Sequence, residues 1–220
     1  MFTELNAAGY RYSKGFYNAE FENILSKIIA CYNLMLIDNV SLSNDENIIR
    51  NVLLINYLKN NTVRRKIELI DYLFNREVPE DRTIGRTDIK IETLNTFQDT
   101  EAYYVIECKR LNAKNQNGKT GLNAEYISEG VCRFASQQYS CYYKTNGMIG
   151  FIVESIDINK NIDSLNTLLN TSFLQANTLQ ALTKRNIVSG FKFSYYSTHT
   201  CNKSELIIYH LMLDFSKNIH

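Results

Sequence analysis

The stretch Thr87-Asp88-Ile89-Lys90-Ile91-Glu92 alternates polar and apolar side chains from Asp88 onward, the period of a β-strand with one buried face. On that period Asp88, Lys90 and Glu92 leave one face and Ile89 and Ile91 the other. A polar connection from Leu94 to Thr100 leads to Tyr103-Tyr104-Val105-Ile106-Glu107-Cys108-Lys109, whose aromatic and β-branched residues predict a second strand. The two strands are expected to form a hairpin. With its turn centred between Phe97 and Gln98, Asp88 and Glu107 lie equally far from the turn and face each other across the pair. Directly opposed residues sit about 4.5–5.5 Å apart at Cβ, so two carboxylates there repel. A cation between them removes the repulsion. Mg²⁺, or Mn²⁺ in its place, suits such a site, because it takes oxygen ligands octahedrally and keeps several waters. Glu107 and Lys109 leave one face together, while Cys108 points away and offers its carbonyl oxygen to the metal.

Before the hairpin the periodicity is helical. Phe16, Phe21, Ile24, Leu25, Ile28, Ile29 and Tyr32 are spaced for an amphipathic helix over 16–37. Ser43-Asn44-Asp45-Glu46 is a helix start. The helix it opens is expected to run to about Leu58, burying Ile48, Val52, Ile55 and Leu58. Residues 62–74, with Ile67, Ile70 and Leu73, read as a third helix. After the hairpin, 112–121 is a polar loop with Gly118 and Gly121. A helix is expected from Ala124 to Tyr143, with Ile127, Val131, Phe134 and Gln138 on one face. Gly147–Val153 reads as a buried strand, 157–183 as partly helical, and 191–196 and 206–214 as closing strands. This order predicts an α/β (α+β) chain, a central mixed sheet covered by helices. It is expected to be one domain over 1–220, with N-terminal helices in 1–78 and the sheet and its helices in 79–220.

Composition narrows the function classes. The five cysteines are odd in number and form no CxxC pair, so neither a disulfide framework nor a zinc site is expected. The first fifteen residues hold no basic segment followed by an apolar run, and VLLI at 52–55 is far too short to span a bilayer. A cytoplasmic protein without a membrane segment is therefore expected. Net charge is only +1, whereas self-sufficient nucleic-acid binders are usually far more basic. Any such binding must rest on local patches, a homo-oligomer or a partner protein. His199, His210 and His220 show no metal spacing, and neither a P-loop nor a nucleophile elbow is present.

Taken together, Asp88, Glu107 and Lys109 are the parts of phosphodiester hydrolysis: a metal that polarises phosphate and acidifies water, and an amine that offsets charge building on the phosphate. Glu-x-Lys alone is common on solvated strand faces; an Asp on the preceding strand, an apolar run into Glu107 and a long helix afterwards make the difference.

With GRTDIKI at 85–91, YYVIECKRL at 103–111, YISEGVCRFASQQYS at 126–140 and GMIGFIV at 147–153, the chain resembles the PD-(D/E)XK nuclease, or restriction-endonuclease-like, superfamily. The stretches make up about a third of it, and Thr87 stands where the family has its leading Pro. The resemblance implies a restriction-endonuclease-like fold and a DNA endonuclease serving anti-phage defence or restriction, working with an ATPase or sensor subunit. It makes Asp88 and Glu107 metal ligands and Lys109 the catalytic lysine. It also suggests an acid from an N-terminal helix near the metal, for which Glu46 is the candidate and Glu20, Glu22 and Glu77 are weaker ones; Glu46 equally suits the dipole of a helix first turn. On the following helix Glu129, Arg133 and Gln137 form an i, i+4 row, either aimed at phosphate and water or a solvated, salt-bridged face. Gln138 and Tyr142 spell the QxxxY of RecB-like relatives. Arg82, Arg86, Arg110, Lys114 and Lys119, with Tyr103, Tyr104, Tyr126 and Tyr139, either line a groove for nucleic acid or form a solvated loop over core tyrosines. The competing reading is a catalytically inactive nuclease-like scaffold or DNA-binding subunit of a larger defence or repair complex.

Overall fold

The long N-terminal helix follows from its apolar spacing. In the computed structural model, which describes residues 13–79 and 86–220, α1 spans Ser13–Ile37 and buries Phe21, Ile24, Leu25, Ile28 and Ile29 completely. Asp45 caps the next helix by accepting the Ile48 N–H at 3.0 Å. That helix, α2 (Glu46–Asn51), runs on as a π-helical stretch, Val52–Leu58. Its buried residues are Ile49, Arg50, Leu53, Leu54, Tyr57 and Leu58, whereas Ile48 and Ile55 are half exposed. The expected stripe was thus the neighbouring one: the buried face carries Arg50 where a purely apolar pattern would place a hydrophobe.

The third helix is shorter than its sequence suggests. Asn60 caps α3 (Asn61–Lys66), and Glu68 then adopts a left-handed φ of 55°. Ile70 and Leu73 are exposed. Leu73–Pro79 is a strand, β1, rather than the end of a helix. It pairs antiparallel with β2 (Arg86–Glu92), so the expected all-helical segment 1–78 ends in an edge strand. β2 in turn pairs antiparallel with β3 (Tyr103–Leu111), and the hairpin is as expected. Arg82 lies outside the described residues.

From β3 the chain crosses over through α4 (Leu122–Tyr126), a π-helical turn (Ile127–Val131) and α5 (Cys132–Ala135) into β4 (Thr145–Ile152), which is parallel to β3 and buried throughout. The crossover buries Ile127, Val131 and Phe134. It stops eight residues short of Tyr143, because Ser136 caps it and Gln137 turns left-handed, φ 61°. Gln138 is consequently exposed instead of sharing the apolar face. After β4 come α6 (Ile158–Thr171), capped by Asp157, and β5 (Thr178–Lys184), a strand inside the stretch read as partly helical. β6 (Ser194–Cys201) and β7 (Ser204–Asp214) close the sheet. Asn202 and Lys203 between them both take positive φ, 47° and 60°, as a two-residue type I′ hairpin turn requires.

The seven strands lie in the order β1-β2-β3-β4-β7-β6-β5, with β3–β4 and β4–β7 parallel and the remaining pairs antiparallel. Helices flank both faces. Alternate residues of β3, β4 and β7 divide between two cores: Ile106, Ile149, Phe151 and Leu211 pack with α1 and α2, and Val105, Met148, Ile208 and Met212 with α4, α5 and α6. Gly147 permits the close seating of α1, since a Cβ there would stand 2.9 Å from the ring of Phe21. No helix among the described residues is long and apolar enough to cross a membrane.

Candidate active site

The hairpin register places the acids. Ile89 opposes Ile106, and one step outward in the same register Asp88 faces Glu107. The pairing of β1 with β2 continues the row, since Arg76 opposes Ile89 and Val78 opposes Thr87, which leaves Glu77 beside Asp88. Three carboxylates, Glu77, Asp88 and Glu107, therefore stand side by side across three strands. Such a row is repulsive unless cations or hydrogen-bond donors compensate it.

The compensation is visible at each member. The Asp88 N–H donates to Glu107 Oε1 at 3.3 Å, and the Cys108 N–H donates to Asp88 Oδ2 at 2.8 Å. Asp88 Oδ1 takes Arg50 Nη1 at 2.5 Å, and Glu77 Oε1 takes Arg50 Nη2 at 2.5 Å. Arg50 is only 1% exposed. Burial opposes its charge, but Asp88 and Glu77 more than offset this and hold its pKa above the ordinary value. Glu77 reaches this position from a left-handed φ of 49°, a conformation that costs an ordinary residue about 1–2 kcal/mol. Its ion pair with Arg50 offsets that strain.

Glu107 is 1% exposed. Burial first, and the neighbouring Asp88 second, push its pKa well above the usual carboxylate value; Lys109 and the Tyr139 hydroxyl pull the other way. The Tyr139 hydroxyl also receives Arg133 Nη1 at 3.2 Å, so Arg133 acts on Glu107 through Tyr139. Arg133 is ion-paired to Glu129 one turn earlier.

Glu46 opens α2 and closes the group from the other side. Its Oε1 lies 2.9 Å from Lys109 Nζ, and its Oε2 accepts the Arg110 N–H at 3.0 Å. Burial disfavours the Lys109 ammonium, but Glu46 and Asp88 outweigh it and raise its pKa. These neighbours favour the ammonium form of Lys109. Arg110 turns to Asn44, donating from Nη1 to both the backbone and the side-chain oxygen at 2.8 Å each. Cys108 is buried in the opposite core.

Asp88, Glu107, Lys109 and Glu46 are thus brought together. Arg86, Lys114 and Lys119 are exposed, on the first residue of β2 and on the 112–121 loop. Gln137 does not join the row with Glu129 and Arg133: the helix has ended, and its side chain hydrogen-bonds Cys201. Glu20 and Glu22 serve elsewhere, the first accepting from the Tyr104 hydroxyl at 2.6 Å and the second pairing with Arg185 at 2.8 Å. Of the weaker acid candidates only Glu77 reaches the site. Arg50 was not foreseen. Its signal was present all the same, a basic residue one helical turn after Glu46 and directly after Ile48 and Ile49.

Among the described residues, no three His, Cys, Asp or Glu side chains converge closely enough to form a ready-made metal cluster. The donor set is nonetheless all oxygen, and a hard cation needs only one or two carboxylates, its remaining positions going to water and phosphate. No protein-family model, no curated protein and no solved structure matches the chain, so the chemistry of these side chains is what bears on function.

Proposed function

We propose that the chain is a Mg²⁺- or Mn²⁺-dependent nuclease of the PD-(D/E)XK kind, hydrolysing DNA phosphodiester bonds. The observation that carries the reading is the opposition of Asp88 to a buried Glu107, with Lys109 on the same strand face and Glu46 bonded to it. The order of elements supports it as well: an acid on one strand, Glu-x-Lys on the next, and a helical crossover packed on the face that Glu107 shares with Val105. That order agrees with the restriction-endonuclease-like fold the resemblance implies.

On this reading Asp88, Glu107 and the Cys108 carbonyl would hold the ion, which when bound would supply Lewis-acid polarisation of a phosphate and a more acidic water. Lys109 offers a positive charge to the phosphate oxygen on which charge grows, and Glu46 keeps the ammonium aimed and protonated. Tyr139, backed by Arg133, orients the Glu107 carboxylate. Arg86, Arg110, Lys114 and Lys119 supply local positive charge for the nucleic-acid backbone. Because the whole chain is nearly neutral, this patch is expected to need help, from an ATPase or sensor subunit or from a second copy. The proposed setting is anti-phage defence or restriction, inside the cytoplasm.

One observation favours the competing reading of an inactive scaffold or DNA-binding subunit. Both Asp88 oxygens are already engaged, by Arg50 and by the Cys108 N–H. Activity therefore requires the cation to compete with Arg50 for Asp88. Supercoiled plasmid with Mg²⁺ or Mn²⁺ separates the two. Nicking by the wild type, lost in Lys109→Ala, supports the nuclease. No cleavage by either, together with no Mn²⁺ binding by the wild type, supports the scaffold.

A further inference from the structure

Two of the five cysteines stand apart from the others. Cys141, in the loop that follows α5, and Cys201, the last residue of β6, approach to 3.6 Å between sulfur atoms. Both line a cleft of about 420 Å³ together with Tyr139 and Ser140. Cys141 is partly exposed to solvent, whereas Cys201, like Cys31, Cys108 and Cys132, is buried. Burial raises the Cys31 thiol to about 12 and the Cys132 thiol to about 11, which keeps them protonated and inert. The Cys201 thiol moves the other way, to about 7, through hydrogen bonds from Cys141 and Gln137.

We propose that Cys141 and Cys201 are a reversible oxidation site, closing to an intramolecular disulfide by exchange with a small-molecule disulfide and so tying the 136–144 loop to β6. A disulfide needs its sulfurs about 2.05 Å apart. The approach required is one that side-chain rotation and a small loop shift supply, because Cys141 lies outside the sheet ladders. The exchange balances. Cys141 sulfur attacks one sulfur of the oxidant, forming a mixed disulfide and releasing one thiolate. Cys201 thiolate then attacks Cys141 sulfur, the protein S–S bond forms, and the second thiolate leaves. Two protein thiols lose two electrons and two protons, and one small disulfide becomes two thiols.

The surroundings tolerate the change. Both sulfurs lie near the Phe134 carbonyl, at 3.9 Å from Cys141 and 3.6 Å from Cys201, and Cys141 lies closer to the Tyr139 carbonyl, at 3.5 Å. The Phe134 carbonyl also accepts the Gln137 N–H at 3.2 Å, so oxidation leaves it with a donor. The consequence lies in the loop. It carries Tyr139, whose hydroxyl touches Glu107 and Arg133. A bond two residues further on holds that tyrosine in place. That this tunes catalysis rests on the nuclease reading; the oxidation itself does not.

The test is a thiol count and a non-reducing peptide map of the full chain after incubation with glutathione disulfide. The expected result is loss of two of the five thiols, one linked peptide pair joining Cys141 to Cys201, and full reversal by dithiothreitol. Cys141→Ser is expected to lose the linked pair and to keep at most a glutathione adduct. Glutathione adducts alone on the wild type, a link involving another cysteine, or no thiol loss overturns the proposal. Amide exchange over 136–144 is expected to slow several-fold on oxidation; unchanged exchange in the linked protein overturns the tying of the loop. Neither readout depends on DNA cleavage, so a failed plasmid assay leaves this result standing, and the reverse.

Discussion

Arg50 Nη1 donates to Asp88 Oδ1 at 2.5 Å from a guanidinium that solvent does not reach. One side chain of α2 thus neutralises the acid that β2 presents to Glu107, and through its other nitrogen it ties Glu77 of the edge strand into the same group. The first acid of the proposed metal site is therefore also part of a structural ion-pair network. On the nuclease reading, function and stability are coupled at this point, and the two should respond together when it is disturbed.

Arg50→Met should be strongly destabilising. Breaking a buried ion pair leaves an uncompensated charge, which costs about 3–5 kcal/mol; the Glu77 side chain is 38% exposed and can rehydrate, so about 3 kcal/mol is expected. The urea midpoint measures it. Arg50→Met with Asp88→Asn should recover part of the loss, since the stranded charge is then gone. Additive losses in the double variant would show that the two residues are not coupled.

Glu46→Gln should separate catalysis from folding. It weakens the hold on Lys109 and replaces a charge-assisted bond to the Arg110 N–H with a neutral one. Stability should change by about 1 kcal/mol or less, as for a pair near the surface. On the nuclease reading, plasmid nicking should fall by about 10²-fold, within the range of positioned acid–base and electrostatic groups. A variant that nicks like the wild type would remove Glu46 from the machinery.

Two buried histidines make stability depend on pH. The Tyr126 hydroxyl bonds His210 Nδ1 at 2.8 Å, His210 Nε2 and His199 Nε2 share the Ser197 hydroxyl at 2.8 and 2.7 Å, and His199 Nδ1 reaches the Ala176 carbonyl at 2.9 Å. The carbonyl only accepts, so the chain is satisfied with both rings neutral and each proton passed toward Ala176. Burial lowers the His199 pKa to about 4 and holds His210 well below its ordinary value. Well above about pH 6.5 neither folded nor unfolded chain protonates these rings, and they contribute no slope. Between about pH 6.5 and 4 the unfolded chain takes protons that the folded chain refuses, so stability falls as pH falls, by about 3 kcal/mol for His199. Denaturation midpoints across this window should show the slope, and His199→Asn should reduce it. An unchanged slope would mean His199 is not neutral in the fold.

Gly147→Val should destabilise the sheet by about 1–3 kcal/mol, the usual cost of overpacking. Its Cβ would meet Phe21 at 2.9 Å and Ile106 at 3.1 Å, both fully buried. Thermal unfolding measures this, and the double variant Gly147→Val with Phe21→Leu should regain part of the loss.

Legibility in the sequence divides along one line. The hairpin was readable because strict alternation over 88–92 and the centre of the connection together set its register, and α1 was readable because Phe21, Ile24, Leu25, Ile28, Ile29 and Tyr32, spaced by three and four, are all buried. β1 and β5 were not. Both are edge strands with exposed apolar residues, Leu73 and Leu179, so neither carries the periodicity of a half-buried strand, and the hydrogen bonds that define them come from β2 and β6. The end of α5 was missed for a related reason: Gln137 takes a left-handed φ with no glycine to mark it.

What the sequence determined alone was local. It set the strand period and turn that bring Asp88 opposite Glu107, the two-residue spacing that puts Lys109 on the same face, and the Asp45 cap that starts α2 at Glu46. What the tertiary structure decided was which distant groups meet these. Arg50 on the acids, Glu46 on Lys109, Tyr139 on Glu107 and Cys141 against Cys201 all join residues at least twenty-seven positions apart. Such pairings arise where helices dock on the sheet, and side-chain periodicity, which reports only which face of an element is buried, carries no information about the partner that buries it.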